Sequence, residues 1–326
     1  VANHTGWDHE WTRSHPEYYK KDSLGQFTEK NGWDDVIDLD YENANMRQAM
    51  IDAMRFWVKE TGIDGFRCDM AMLVPIDFWK EARTQLDQER KLFWLAECEE
   101  PHYHPVFDAS YSWKWMHKTA DFYKGHAQLS GLDSVLYEYN AQFPSTAVRA
   151  FFTSNHDENS WNGTEYEKYG AAARALAVFS CTWNGVPLIY SGQELPNERR
   201  LKFFDKDPIE WNGQYRLHEF YKTLLNLHHT HPALRAGDSS VVTYRLETDA
   251  PQQIFAYLRQ KGNEEVLVIL NMSPQDRIRF EMKDPKVQGK FINAFSQAAN
   301  DFSQDRFFEM GAWDYLVYVK KNAAAP

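Results

Sequence analysis

Three carboxylates stand where apolar runs end, and each has an informative neighbour. Asp69 closes Gly65-Phe66-Arg67-Cys68-Asp69, Glu97 closes Leu92-Phe93-Trp94-Leu95-Ala96-Glu97, and Asp157 closes Phe151-Phe152-Thr153-Ser154-Asn155-His156-Asp157. A carboxylate placed directly after a buried strand is lifted to the strand's C-terminal lip, where a (β/α) barrel performs its chemistry. Retention at a sugar carbon needs one carboxylate as nucleophile and a second as acid and then base, about 5–5.5 Å apart. Neighbouring strands lie about 4.8 Å apart, so Asp69 and Glu97 on adjacent strands meet that requirement. Arg67 lies two residues before Asp69 and shares its facing. Its fixed charge favours the ionised, nucleophilic Asp69. The apolar approach Trp94-Leu95-Ala96 favours a protonated Glu97, the form a general acid needs. Together these features point to acid-assisted cleavage of a glycosidic bond.

Each residue also has a plainer reading. Asp69 and Arg67 could be an ion pair at a barrel lip, and Glu99 or Glu100 could replace Glu97. Asp157 could be the N-cap of a helix beginning at Glu158. His4 and His156 could be satisfied core histidines, and Glu194 could hold strands together rather than touch ligand. Trp7, Trp33, Tyr111, Trp113 and Trp161 lie on lip loops, where flat rings with a polar edge stack on sugars. Each could equally be packing.

The elements that must position these groups follow from periodicity. Asn45 to Thr61 repeats apolar residues every three or four positions, as a one-sided helix does, and Gly62 ends it. Strands are expected at 63–69, 91–97, 150–155 and 186–190. Helices are expected at 77–88, 169–182 and 214–229, with helical material over 112–142 broken at Gly125 and Gly131. After Gly237 only short strand-like runs remain, at 241–244, 254–258, 266–270, 277–282 and 315–319. Strand–helix alternation followed by strands alone predicts two domains. The first, 1–237, is an α/β barrel with an aromatic loop at about 5–39. The second, 238–320, is an all-β sandwich. A short Ala-rich tail, Ala323 to Pro326, closes the chain.

Composition narrows the function further. The 326 residues carry 36 Lys plus Arg against 47 Asp plus Glu, a net charge of −11, which speaks against a nucleic-acid phosphate surface. No stretch reaches the roughly 18–20 apolar residues of a membrane span. Three cysteines without paired spacing argue against a disulfide framework, and Cys68 and Cys98, each beside a candidate acid, should face the outer helix layer. His228-His229-x-His231 reads as a helix-terminal charge cluster rather than a metal site. Asn3, Asn162 and Asn271 fit the glycosylation pattern, although a glycan on Asn3 would block the expected cleft.

The ordered runs resemble the α-amylase superfamily of retaining glycoside hydrolases, family 13. Asn3-His4 is similar to the close of that family's third-strand motif, and Gly65-Phe66-Arg67-Cys68-Asp69 to its fourth. Glu97 matches the fifth-strand glutamate, and Asn155-His156-Asp157 the seventh-strand triplet. Residues 185–194, Gly-Val-Pro-Leu-Ile-Tyr-Ser-Gly-Gln-Glu, match the eighth, and His231-Pro232-Ala233-Leu234-Arg235 resembles the phrase before the family's C-terminal β-domain. The resemblance implies a (β/α)8 TIM barrel, N-terminally incomplete in this chain, with the first two strands and most of the third absent. A further segment or second chain is therefore expected to complete the barrel. It also implies Asp69 as nucleophile, Glu97 as acid and base, and Asp157, His4 and His156 as binders of sugar hydroxyls, His4 and His156 as hydrogen-bond donors. The substrate expected is an α-1,4-linked maltodextrin. Transglycosylation, α-1,6 or trehalose-type links, and a non-catalytic sugar-binding relative are the alternatives. The chemistry needs no cofactor, while Asn3 matches a position that holds structural calcium in many members. Met70-Ala71-Met72-Leu73 departs from the Lys or His that often follows the fourth-strand motif, so acceptor-side contacts should differ.

Overall fold

Residues 2–320 are described by a computed structural model and form two compact units, one ending at Tyr111 and the other beginning at Ser112. Val1 and the Ala-rich tail lie outside the described residues.

The first unit opens with β1 (His4–Gly6), followed by a short α1 (Trp11–Ser14), and β2 (Val36–Asp38). β1 and β2 pair antiparallel, with His4 opposite Asp38. The expected aromatic loop is therefore a lobe closed by its own ladder, which His4 begins. Three-residue strands fall below the length at which alternation can be read. α2 (Ala44–Thr61) follows, its first turn capped by the Asn43 side chain, which accepts from Asn45 and Met46 N–H. Gly62, left-handed at φ 65°, terminates it.

The site rests on three parallel strands, β3 (Gly65–Cys68), β4 (Phe93–Ala96) and β5 (Ala109–Tyr111), with α3 (Ile76–Leu86) between the first two. β3 meets β4 so closely that a Cβ on Gly65 would fall 1.9 Å from the Phe93 carbonyl oxygen. This is the physical demand behind a glycine at that place. Cys68 is fully buried, as alternation requires, among core residues including Phe78, Trp79 and Trp94. Burial pushes its thiol up to about 12. All three cysteines are buried, and none forms a disulfide among the described residues.

In the second unit, α4 (Trp113–Tyr123) and α5 (Leu129–Gln142) are separated at Gly125 alone; Gly131 sits inside α5. β6 (Val148–Phe151) pairs parallel with β7 (Val186–Pro187). Between them come α6 (Glu158–Trp161), α7 (Glu165–Tyr169) and the buried α8 (Ala173–Thr182). β7 is only two residues long, and beyond it Leu188 N–H still donates to the Phe151 carbonyl at 2.9 Å. α9 (His218–Thr230) is the last helix among the described residues longer than a single turn.

The remaining chain is all β, in strands β8 (Val242–Arg245), β9 (Ile254–Lys261), β10 (Glu264–Asn271), β11 (Ile278–Glu281), β12 (Lys290–Asn293), β13 (Ala299–Asp301), β14 (Phe307–Met310) and β15 (Tyr315–Lys320). Six form one antiparallel sheet in the order β13-β12-β15-β10-β9-β8, while β11 and β14 form a ribbon. Phe280 and Phe308 of the ribbon pack with Leu258, Ile269 and Phe291 of the sheet in one core, as a sandwich requires. β12, β13 and β14 escape a periodicity reading because each is only three or four residues long. Asn271 is fully buried and donates to the Gln275 and Gly311 carbonyls, so that glycosylation pattern is structural in origin.

Candidate active site

Asp69 and Glu97 are the residues immediately beyond the paired strands β3 and β4. The register Cys68–Ala96 continues through a bond from Glu97 N–H to the Cys68 carbonyl at 2.9 Å. The two acids thus leave adjacent strands at the same level, about one interstrand spacing apart. Arg67 joins them. Its Nη1 bonds Asp69 Oδ1, and its Nη2 lies 2.8 Å from Glu97 Oε2. Glu97 is 4% exposed, and its Oε2 also accepts from Met70 N–H at 2.9 Å.

This arrangement decides two questions the sequence leaves open. The Arg67–Asp69 pair is not an isolated lip contact, because the same guanidinium reaches Glu97. The Glu97 carboxylate also does not sit in an apolar setting, whatever Trp94-Leu95-Ala96 suggests: a cation and a backbone N–H converge on one of its oxygens. Burial works against the Arg67 charge, but Glu97, Tyr111 and Asp69 outweigh it and hold the guanidinium above its usual range.

Tyr111 corrects an expectation. Only 2% exposed, it has no free face to offer a sugar. Its hydroxyl accepts from Arg67 Nε at 3.3 Å, and its ring centroid lies 5.7 Å from the guanidinium carbon. Tyr111 is a support for Arg67, not a stacking platform.

His4 Nδ1 lies 2.9 Å from Asn3 Oδ1, while Asn3 Nδ2 donates to Asp38 Oδ1 at 3.4 Å. An amide oxygen only accepts, so the His4 proton sits on Nδ1. Nε2 is therefore the ring nitrogen left to meet a ligand. Trp33 meets the His4 ring edge-on at 5.5 Å. Trp7 is exposed, with its indole N–H bonded to the Asp34 carbonyl at 3.0 Å.

Asn3 is a poor calcium ligand in this arrangement. Its oxygen is turned to His4, and Asp38 is the carboxylate it touches. Calcium requires six to eight oxygens, and the described residues contain no group of three or more His, Cys, Asp or Glu able to hold a metal. In this arrangement Asn3 fixes the His4 ring.

In the second unit, Asp157 opens α6, but its carboxylate does not cap the helix. The buried Asn155 does so: its Oδ1 accepts from Asp157 N–H at 2.9 Å and Glu158 N–H at 2.8 Å. Asp157 is thereby left for other work, with the exposed His156 Nε2 3.3 Å from its Oδ2. Beneath this turn, Glu158 and Lys168 form a buried pair at 3.1 Å. Gln193 Nε2 reaches Thr153 Oγ1, Glu165 Oε2 and the Tyr221 hydroxyl at 2.9, 2.7 and 3.1 Å. Glu194 accepts from Gly192 N–H, a local role. His228 Nδ1 donates to the Cys181 carbonyl at 2.9 Å, and His231 Nδ1 accepts from Ala233 N–H at 3.2 Å. Trp113 packs edge-on against Phe152.

Trp161 is 55% exposed and packs against Phe203 and Phe204 at 5.0 and 5.9 Å. These two phenylalanines were not foreseen. The available signal was an adjacent Phe-Phe pair within the polar stretch Lys202 to Asp207.

Residues 7–209 match the alpha amylase catalytic domain, and residues 244–323 match the alpha amylase C-terminal all-beta domain. Alpha-amylase MalA of Haloarcula japonica is 29% identical over 252 residues, covering 74% of this chain and 36% of its own length. A cyclomaltodextrinase from a Bacillus species is 26% identical over 251 residues, with coverages of 72% and 43%. The chain thus spans about two fifths of the length of these curated relatives. Among solved structures, the maltogenic alpha-amylase AmyB of Thermotoga neapolitana superposes with a TM-score of 0.85 at 25% identity, over 99% of this chain and 77% of that one. The fold is that of α-amylase-type TIM-barrel proteins with an all-β domain appended. With the catalytic-domain match covering most of residues 1–237 and the motif acids in register, the chain belongs to the alpha-amylase family.

Proposed function

We propose that this chain carries the catalytic residues of a retaining glycoside hydrolase that cleaves α-1,4-glucosidic bonds in maltodextrins by double displacement. The observation that carries the reading is the Arg67 guanidinium joined to both Asp69 and Glu97 at the ends of paired parallel strands. Asp69 Oδ attacks the anomeric carbon as Glu97 delivers a proton to the departing glycosidic oxygen, giving a covalent glycosyl ester. Glu97, now anionic, takes a proton from water, and the resulting hydroxide displaces Asp69 with a second inversion. The anion left on Glu97 between the steps is stabilised by Arg67 and Met70 N–H. Asp157 is assigned the binding of sugar hydroxyls and the stabilisation of oxocarbenium charge. His4 meets a sugar hydroxyl through Nε2, and His156, Trp7, Trp33 and Trp161 supply further sugar contacts. Protein carboxylates and water suffice, so no cofactor enters a step. The names of relatives, including a cyclomaltodextrinase and a neopullulanase, support an α-glucan substrate class. We place the domain boundary at 237/238, between the two family matches. Among the described residues no helix is long and apolar enough to cross a membrane.

Asp69→Asn tests the reading: turnover of maltoheptaose should fall by several powers of ten while oligosaccharide affinity persists. Unchanged turnover would remove Asp69 from the mechanism. Intact maltoheptaose beside cleaved isomaltose or trehalose would overturn the α-1,4 assignment.

A further inference from the structure

A second concave surface lies in the Ser112-onward unit, where the end of α4 and the start of α5 face the turn before β9 and the one before β15. Its volume is about 850 Å³, within the range of ligand pockets. None of the residues assigned to catalysis lines it. Its chemistry departs from the rest of the chain. Charged residues make up 25% of the sequence, yet no Asp, Glu, Lys or Arg lines this groove. The rings of Phe122, Tyr123 and Trp313 stand on one side, and Gln128, Gln252 and Gln253 contribute amides. The amide groups of these three glutamines bond no other side chain or backbone among the described residues. An uncharged lining disfavours phosphates, acidic peptides and cations. Flat rings beside unspent amide donors and acceptors suit a neutral, polyhydroxylated ligand.

The aromatic side is held rigidly. Trp313 adopts a left-handed backbone, φ 54°, which is costly for a bulky residue and persists only where its surroundings enforce it. Its N–H donates to the Ser273 carbonyl at 3.1 Å, and its ring lies 5.3 Å from Tyr123 and 6.3 Å from Phe122. The Tyr123 hydroxyl lies against Gly170, where a Cβ would come within 2.0 Å of it.

We propose that this groove is a second carbohydrate site, binding a segment of α-glucan apart from the cleavage chemistry. The identity of the sugar rests on the α-glucan reading above. The test is electrophoresis of the native protein through gels containing soluble starch, dextran or no polysaccharide, alongside kcat/KM on maltotriose. Trp313→Ala and Gln252→Ala should each weaken starch retention, the former by about tenfold, as expected for loss of a central aromatic anchor. Their maltotriose kcat/KM should match the wild type. Gln252 is exposed, so its variant guards against a Trp313 variant that fails to fold. Unchanged retention in Gln252→Ala and in a folded Trp313→Ala overturns the proposal, as does a parallel fall in maltotriose turnover. A wild type that cleaves maltotriose but is not retarded by starch also sinks the groove and leaves the hydrolase reading intact. A wild type retained by starch through Trp313, yet inert on maltotriose, sustains the groove and refutes the hydrolase.

Discussion

Removing the positive charge of Arg67 should damage this site in a calculable way. The guanidinium lies against Asp69 and Glu97, which leave neighbouring strands at the same level. In Arg67→Met the side-chain length is roughly kept and the charge lost, so the Asp69 carboxylate loses the cation that favours its ionised form. At an effective dielectric of about 20, opposite unit charges about 5 Å apart attract by about 3 kcal/mol. Without that attraction the ionised nucleophile forms only at higher pH. At about 1.4 kcal/mol per pH unit, the acid limb of the kcat/KM profile should move up by roughly two units. The same energy lost from the reacting state is roughly a hundredfold in rate near the wild-type optimum. Arg67→Lys keeps a charge but not the fork, so its acid limb should stay near the wild-type position while kcat falls. The assay is a pH–rate profile on a chromogenic maltooligosaccharide, with thermal melts to confirm folding. A folded Arg67→Met enzyme with an unmoved acid limb and wild-type kcat/KM would refute the bridging argument.

Further outcomes follow from other contacts. Tyr111→Phe removes the hydroxyl that steadies Arg67 and should lower kcat by about three- to tenfold with KM little changed, the cost of one such hydrogen bond; a raised KM at constant kcat would restore Tyr111 to the sugar surface. Asp157→Ala should abolish turnover yet move stability by no more than about 0.5 kcal/mol, whereas Asn155→Ala should cost about 1–2 kcal/mol as the true cap, both read from denaturant melts. Gly65→Ala drives a methyl into the Phe93 carbonyl and should destabilise by more than about 2 kcal/mol; a wild-type melting temperature would show that the strands can part freely. Burial raises the pKa of Glu165 despite hydrogen bonds from Thr153 and Gln193. A raised folded-state value means its contribution is complete below the ordinary carboxylate range and is lost as pH climbs through the raised value. Glu165→Gln should therefore flatten the decline of melting temperature with rising pH over that window, and an unchanged slope would exclude Glu165 as its source.

Local chemistry carried much of this protein's description in the chain itself. A one-sided apolar repeat ended by Gly62, and runs of apolar residues ending in Asp69 and Glu97, depend only on neighbours a few positions away. The α2 helix and the placement of both acids at strand ends were accordingly legible. The short strands β1, β2, β12, β13 and β14 were not, because three or four residues give too few alternations and each exists only by pairing with another strand. The side-chain roles that changed have the same cause. Tyr111 and Trp161 looked alike as aromatic lip residues, and only packing buried the first beneath Arg67 and exposed the second beside Phe203. Asn155 displaced Asp157 as helix cap, and Asn3 set the His4 tautomer, because hydrogen-bond direction depends on the position of a partner's lone pair. The reach of Arg67 to Glu97 needed the register between two strands joined through a helix, and no spacing along the chain encodes the angle at which they meet.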